Sequence, residues 1–426
     1  MPVLLRNATY VDWESLEFFH TNIVVDEGIN KSIHLVDDLK TLSSIADYQQ
    51  IDCHGKLVTK AFAVGHHHAY SAMARGMPAP RKQPENFYEI LKYVWWTLDK
   101  CLDRDTVELS ALVTAISCAK AGSTFIIDHH ASPSFIHWSL EVMAKAFERV
   151  GLSHLLCYEI TDRDGMDKAR QGLTATEEYL KTHQGLVGLH ASFTVGDETL
   201  KQATDLMQRF NSGIHVHVAE DMHDQNHCQS TYKKRVIHRF SEAGITNSAK
   251  TILVHCLHLD DEERRILHSS PCRIVQNTES NLNNNVGFFS GKSLGNNIML
   301  GTDGMHSDML QSAKAAYFVG QRFDPISPAT AYRRFRNVHH YLADNGFRGD
   351  GANNLVVLNY NPPTEINRDN FYGHFIFGIN ASHVQHVISN GKAIVLDQKM
   401  TTVDEDEIMS QSREQAKRLW NLMKRL

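Results

Sequence analysis

The stretch AFAVGHHHAY, residues 61–70, is an apolar run that ends in three consecutive histidines. Its first half suits a buried β-strand, and its second half is dense in metal-ligating side chains. A chain with 26 histidines produces such triplets by chance, so its meaning depends on what else reaches the same place.

Outward from it the pattern recurs. Short β-rich apolar runs lie at 61–66, 123–129, 154–160, 186–192, 213–220, 251–256, 273–278 and 298–304. Helical-period segments at 132–150, 166–182 and 197–212 separate several of them, and ESNLNNNVGFFSGKSLGNN, before the last run, reads as a loop. Eight strands alternating with crossovers predict an α/β fold, a (β/α)8 TIM-type barrel over residues 60–352. Residues 1–59 read as short strands and turns. Strands return over 353–405 in NNLVVLNYN, FIFGIN and VQHVISNGKAIVLDQK, where Asn390-Gly391 signals a tight hairpin. Residues 406–426, with acids ahead of them and bases near the end, predict a terminal helix.

The bulk numbers exclude several classes. A net charge of −6 with scattered Lys and Arg gives no footprint for nucleic acid. No run approaches the roughly 18 apolar residues of a membrane helix, and the start lacks the features of a signal peptide. The seven cysteines form no C-x-x-C pair and suit neither a disulfide framework nor a thiolate zinc site. The expectation is a cytoplasmic protein.

In a barrel of this kind the C-terminal strand ends converge on one face, where the active site sits. Those ends carry His66 and His68, Asp128-His129-His130, Glu159, His190, His217 and Glu220, His255, Asn277, and Asp303. Residues two apart on a strand share a face, so His66 and His68 aim at one point while His67 turns away. His217 is the better third ligand, nearer the mouth than His215 and closer to Glu220. Asp303 completes three imidazoles and one carboxylate. Such a set with an open position is a catalytic centre for one divalent ion, with Zn favoured and Fe or Mn also suited. A bound divalent ion lowers the pKa of water to roughly 7. Asp303 then accepts the water's proton, Glu220 protonates a ring or leaving nitrogen, and His255 hydrogen-bonds the attacking oxygen.

The combination of GHHHAY, HVHVAE, LVHC and GTDG resembles the amidohydrolase superfamily, in the branch that holds triazine hydrolases, guanine deaminase and cytosine-type deaminases. Segments GHHHAYSAMARGMP, IDHHASP, LCYEITDRDG, GLHASFTV and ESNLNNNVG are closer still to the SsnA aminohydrolases. The resemblance covers nearly the whole chain and implies that the flanks form a composite β-sandwich. It places His66, His68, His217 and Asp303 on a mononuclear metal, Glu220 on the proton shuttle and His255 on the water-orienting histidine. It also implies substrate contact at His190, substrate contact or loop ordering at Asn281, and a homodimer. At the second strand end, His130 is the residue expected to point inward and Asp128 to hold a turn. Arg75 and Tyr70, after the first strand, are candidates for recognising an acidic or carbonyl-rich substrate. Two departures stand out: Lys60-Ala61 replaces a Pro-Gly, and Thr278 replaces the proline of an N-P-x-S-N motif.

The expected activity is hydrolysis of a C–N bond in a small nitrogen heterocycle, by deamination or opening of a cyclic amide or amidine. The SsnA resemblance implies a purine or purine-derived ring. A triazine dehalogenase uses the same apparatus. A binuclear cyclic amidase needs a lysine at the end of strand four, and LVGLHASFT has none. An inert barrel acting as an assembly partner would have no reason to keep both Glu220 and a full ligand set.

Overall fold

The computed structural model describes residues 2–42 and 44–426. All eight expected runs form strands: Phe62–His67, Ser123–His130, Ser153–Ile160, Val187–Ala191, Ile214–Val218, Ile252–His255, Arg273–Gln276 and Ile298–Leu300. They pair in parallel, each with its neighbour in the chain. The ring closes where the backbone N–H groups of Thr302 and Asp303 donate to the His66 carbonyl at 3.0 and 3.2 Å. Closure removes the exposed edges that an open sheet would leave.

Parallel strands are covered on both faces, which is why these runs are almost continuously apolar. The pleat splits each run between two cores. Phe125, Ile127, Leu155, Cys157, Val254, Val275 and Met299 fill the barrel interior. Ile126, Leu156, Val216 and Leu253 face the surrounding helices. The helix Pro328–Asp344 adds Val338, Tyr341 and Leu342 to the interior core, and the Tyr341 hydroxyl donates to the Lys250 carbonyl at 2.8 Å, just ahead of the sixth strand. The N-terminal end of the barrel is thereby plugged and the C-terminal end left for chemistry.

Crossover helices occupy Arg104–Lys120, Ser139–Val150, Met166–Leu180 and Asp197–Arg209. The predicted segment 132–150 starts its helix late, because its first part carries Pro133 and local turns. The link before the eighth strand begins with one short helix, Thr278–Asn283, and then runs as a loop.

The flanks build a separate nine-stranded sheet. Its two halves join where Leu57–Lys60 pairs antiparallel with Leu355–Leu358. Asn390 and Gly391, at φ +49° and +78°, form the tight turn between Val384–Ser389 and Lys392–Leu396. FIFGIN is not a strand. Its first residues end the helix Phe371–Phe377, because Phe371 and Phe375 are one turn apart and pack on Tyr332 at 5.5 and 5.0 Å. The terminal helix Glu405–Met423 is capped by Asp404 and reaches the loop behind the first barrel strand, where Trp420 Nε1 donates to the Met73 carbonyl at 2.8 Å. Among the described residues no helix is long and apolar enough to cross a membrane.

Candidate metal centre and its cavity

His66, His68, His217 and Asp303 each bring one ligand atom into a cluster whose members lie within 4.8 Å of one another. The protons of two of these imidazoles are already committed. His68 donates from Nδ1 to the His129 carbonyl at 2.6 Å, and His217 from Nδ1 to the His190 carbonyl at 2.8 Å. Their Nε2 lone pairs therefore face each other across 3.1 Å. Asp303 Oδ1 sits 3.2 Å from His68 Nε2 and 3.5 Å from His66 Nε2. His66 Nδ1 shares a 2.9 Å hydrogen bond with His215 Nε2, and its own Nε2 is buried with no hydrogen-bond partner. Converging lone pairs, an orphaned buried nitrogen and a carboxylate repel one another unless a cation lies between them. Carbonyl partners on the far ring nitrogens are the usual support of metal-binding histidines. The donor set fits one divalent ion, and His215 stands behind His66, outside that set.

The surroundings divide the three imidazoles. Burial drives His66 down to about 3 and His217 well below the ordinary imidazole value. His68 is also opposed by burial, yet in the metal-free chain the carboxylates of Asp303, Glu159 and Asp128 raise it to about 9, so there its Nε2 holds a proton whose positive charge a bound cation replaces. Burial would raise Asp303, but contacts with His66 and His68 hold it well below the carboxylate range. Glu220 goes the other way: burial, then the charge on Asp303, push it well above that range. Within this pair, burial and mutual repulsion favour the negative charge on Asp303 and the proton on Glu220.

Glu220 follows the fifth strand, with Oε2 at 3.4 Å from His255 Nε2 and Oε1 accepting from Asn284 Nδ2 at 3.3 Å. His255 Nε2 lies 3.8 Å from Asp303 Oδ2. The strand ends that carry these groups are strained. Ala219, His255, Cys256 and Asp303 hold φ of +46°, +70°, +54° and +50°, each costing on the order of 1–3 kcal/mol for a non-glycine residue. The Asp224 carboxylate steadies the first of these turns by accepting from the N–H groups of Ala219 and Phe193 at 2.9 and 3.0 Å.

A cavity of about 620 Å³, counting its open mouth, lies over the cluster and is lined by His68, His217, Glu220, His255 and Asp303. Tyr70 and His190 line it as well. His130, Asn281 and Arg75 do not. On the second strand the pleat turns His129 inward, to within 4.9 Å of the His215 ring and 4.8 Å of the His217 ring. His130 consequently points away and bonds Ser132 Oγ at 2.8 Å, while Asp128 accepts from the Ala69 N–H at 2.6 Å. Arg75 is exposed to solvent. Asn281 is buried against His255, with Nδ2 at 2.8 Å from its Nδ1.

Sequence reasoning missed one wall. The helical segment 87–100 contributes Phe87, Leu91, Trp95, Trp96 and Asp99, with a π-helical turn over Leu91–Trp95. Such turns within α-helices concentrate at functional sites. Arg163 ties this wall to the third strand: it pairs with Asp99, reaches Glu159 Oε1 at 2.5 Å, and lies 5.2 Å from the Trp96 ring. The aromatic density of NFYEILKYVWW was the available signal.

Comparison with known proteins agrees with this geometry. The chain is 24% identical over 421 residues to the 5-methylthioadenosine/S-adenosylhomocysteine deaminase of Thermococcus sibiricus, covering 93% of this chain and 94% of that one. It is 26% identical over 350 residues to the 5'-deoxyadenosine deaminase of Methanopyrus kandleri, covering 76% and 78%. The fold matches the crystal structure of a zinc-bound adenosine deaminase from Xanthomonas campestris with a TM-score of 0.81, at 16% identity and 98% coverage of both chains. The sequence model of the amidohydrolase family matches residues 61–333, more than half of the chain. The chain belongs to the amidohydrolase family and is a hydrolase of carbon–nitrogen bonds.

Proposed function

We propose that this protein is an aminohydrolase with one divalent cation, zinc by ligand type, held by His66, His68, His217 and Asp303, and that it deaminates a purine or purine-derived ring. The observation that carries this reading is a complete ligand set at the floor of one cavity, three of its members lining that cavity together with Glu220, whose carboxyl is pushed up while that of Asp303 is held down. Titratable pairs pushed apart in this way mark acid and base roles.

A divalent cation at this place supplies the Lewis acidity that makes water a nucleophile near neutral pH. Asp303 accepts the proton that water gives up as its oxygen bonds to the ring carbon. Glu220 delivers a proton to the adjacent ring nitrogen, and His255 donates from Nε2 to the attacking oxygen. Asp303 then hands its proton to the exocyclic nitrogen, the new hydroxyl returns its proton to Glu220 as the carbon–nitrogen bond breaks, and ammonia leaves behind a ring carbonyl. Tyr70, Phe87, Trp95 and Trp96 offer flat apolar faces suited to a planar ring. Relatives named as deaminases of adenosine derivatives support a ring amine as the group lost.

The test is incubation of zinc-loaded protein with aminopurines, adenosine derivatives and cyclic ureas, following ammonia and ring absorbance together. Ammonia released in step with the spectral change supports deamination. Loss of ring absorbance without ammonia replaces it with ring opening, and no turnover across the panel contradicts the reading.

A further inference from the structure

We infer that Asn281 is a positioning residue that fixes the single proton of His255 on Nε2, making this ring a standing hydrogen-bond donor toward the reacting oxygen. The kinetic consequence rests on the aminohydrolase reading, whereas the position of the proton is a property of the chain alone.

The assignment comes from both sides of the ring. Asn281 Nδ2 lies 2.8 Å from His255 Nδ1. An amide nitrogen only donates, so Nδ1 must offer its lone pair and has no place for a proton. On the opposite edge, Nε2 faces one ionised acceptor, Asp303 Oδ2 at 3.8 Å, with Glu220 Oε2 beside it at 3.4 Å. Nε2 is buried and makes no hydrogen bond, so its N–H is left for a group that enters the cavity. The other tautomer would set N–H against NH2 on one edge and a lone pair against the ionised Asp303 on the other.

Asn281 is itself held firmly. Its backbone N–H donates to the Asn277 carbonyl at 3.1 Å, and its carbonyl accepts from the Val286 N–H at 3.1 Å. One helical step further, Asn284 Nδ2 donates to Glu220 Oε1 at 3.3 Å. Residues three apart share a helix face, so one short helix with its C-cap residue orients both non-ligand groups of the site. A ring with no room for a second proton at Nδ1 cannot act as the base. That task falls to Asp303.

The direct test uses the full-length, zinc-loaded wild-type protein carrying ¹⁵N-labelled histidine, with the His255 signals identified by their loss in His255→Asn. The expected spectrum shows a protonated Nε2 and an unprotonated Nδ1. In Asn281→Asp the carboxylate reverses the contact, and a proton appears on Nδ1. In Asn281→Ala neither tautomer is enforced, and kcat falls by about 10²–10³, the usual loss on removing one preorganised donor. KM and zinc content should stay unchanged in that variant, which a merely structural role would not predict. A protonated Nδ1 in the wild type, or an Asn281→Ala protein with wild-type kcat, overturns the inference. The labelled spectrum needs no substrate. If no compound turns over while Nε2 carries the proton, the aminohydrolase reading fails and this one stands.

Discussion

Replacing Glu220 by glutamine separates proton transfer from everything else the site does. The two side chains have the same shape, and burial with the nearby Asp303 charge already keeps Glu220 protonated, so the swap changes neither packing nor charge. Its contacts allow the cost to be worked out. The glutamine oxygen keeps the 3.3 Å bond from Asn284, and the amide nitrogen then faces His255 Nε2, where Oε2 now stands at 3.4 Å. That 3.4 Å approach is not a hydrogen bond, so the swap costs no more than about 1 kcal/mol. None of His66, His68, His217 and Asp303 is touched, so bound metal should stay. The rate is a different matter, because a carboxamide delivers no proton. General acid–base catalysis contributes about 10²–10⁴-fold, which is roughly 3–5 kcal/mol of barrier. The assay pairs elemental analysis and an unfolding midpoint with steady-state ammonia release. Metal content and midpoint near wild type with kcat down by that factor is the expected outcome. Undiminished turnover in Glu220→Gln would refute the shuttle, and loss of metal would move Glu220 among the ligands.

Four further outcomes follow from the same geometry. A Cβ on Gly301 would lie 2.4 Å from Asn277 Oδ1 and 3.0 Å from His66 Cβ, so Gly301→Ala should cost about 1–3 kcal/mol and weaken metal retention. Gly373→Ala, in a helix with nothing within 4 Å, should instead gain about 0.5–1 kcal/mol; matching midpoints for the two variants would contradict the packing. Burial pushes Asp224 up to about 7, although backbone bonds from Ala219 and Phe193 pull it down. Its folded value lies above the unfolded value of about 3.9, so its stabilisation is full below that value and is lost as pH rises through about 7. Denaturation of wild type against Asp224→Asn should therefore show the wild type losing ground between about pH 4 and pH 7, and a pH-independent difference would contradict the shift. Trp96→Ala, which strips one cavity wall, should raise KM about tenfold with a smaller effect on kcat; an unchanged KM would remove Trp96 from substrate binding.

The barrel was legible because parallel strands buried on two faces leave long apolar runs, and the strand ends then gather polar residues that look scattered in sequence. Period-two spacing put His66 and His68 on one face without any knowledge of the fold. The same rule settles the second strand only when its phase is known. His129 rather than His130 turns inward, and nothing within DHH reveals the phase. FIFGIN has strand composition, and its helix becomes evident only once Phe371 and Phe375 are seen packed edge-to-face against Tyr332. Trp96 and Asp99 were hidden for another reason. Their segment precedes the second strand and reads as an ordinary amphipathic helix, and the π-helical turn that sets its facing is a backbone property. Asn281 looked like a substrate or loop residue because its partner, His255, lies 26 positions away in the chain.

The central claim is that His66, His68, His217 and Asp303, and not their histidine neighbours, hold one divalent ion. Equilibrium zinc binding to the wild type, His217→Ala and His255→Ala tests it most directly. About one tightly held ion per chain is expected in the wild type and in His255→Ala, with affinity reduced by orders of magnitude in His217→Ala. Wild-type affinity in His217→Ala, or loss of the ion on removing His255 alone, would contradict it.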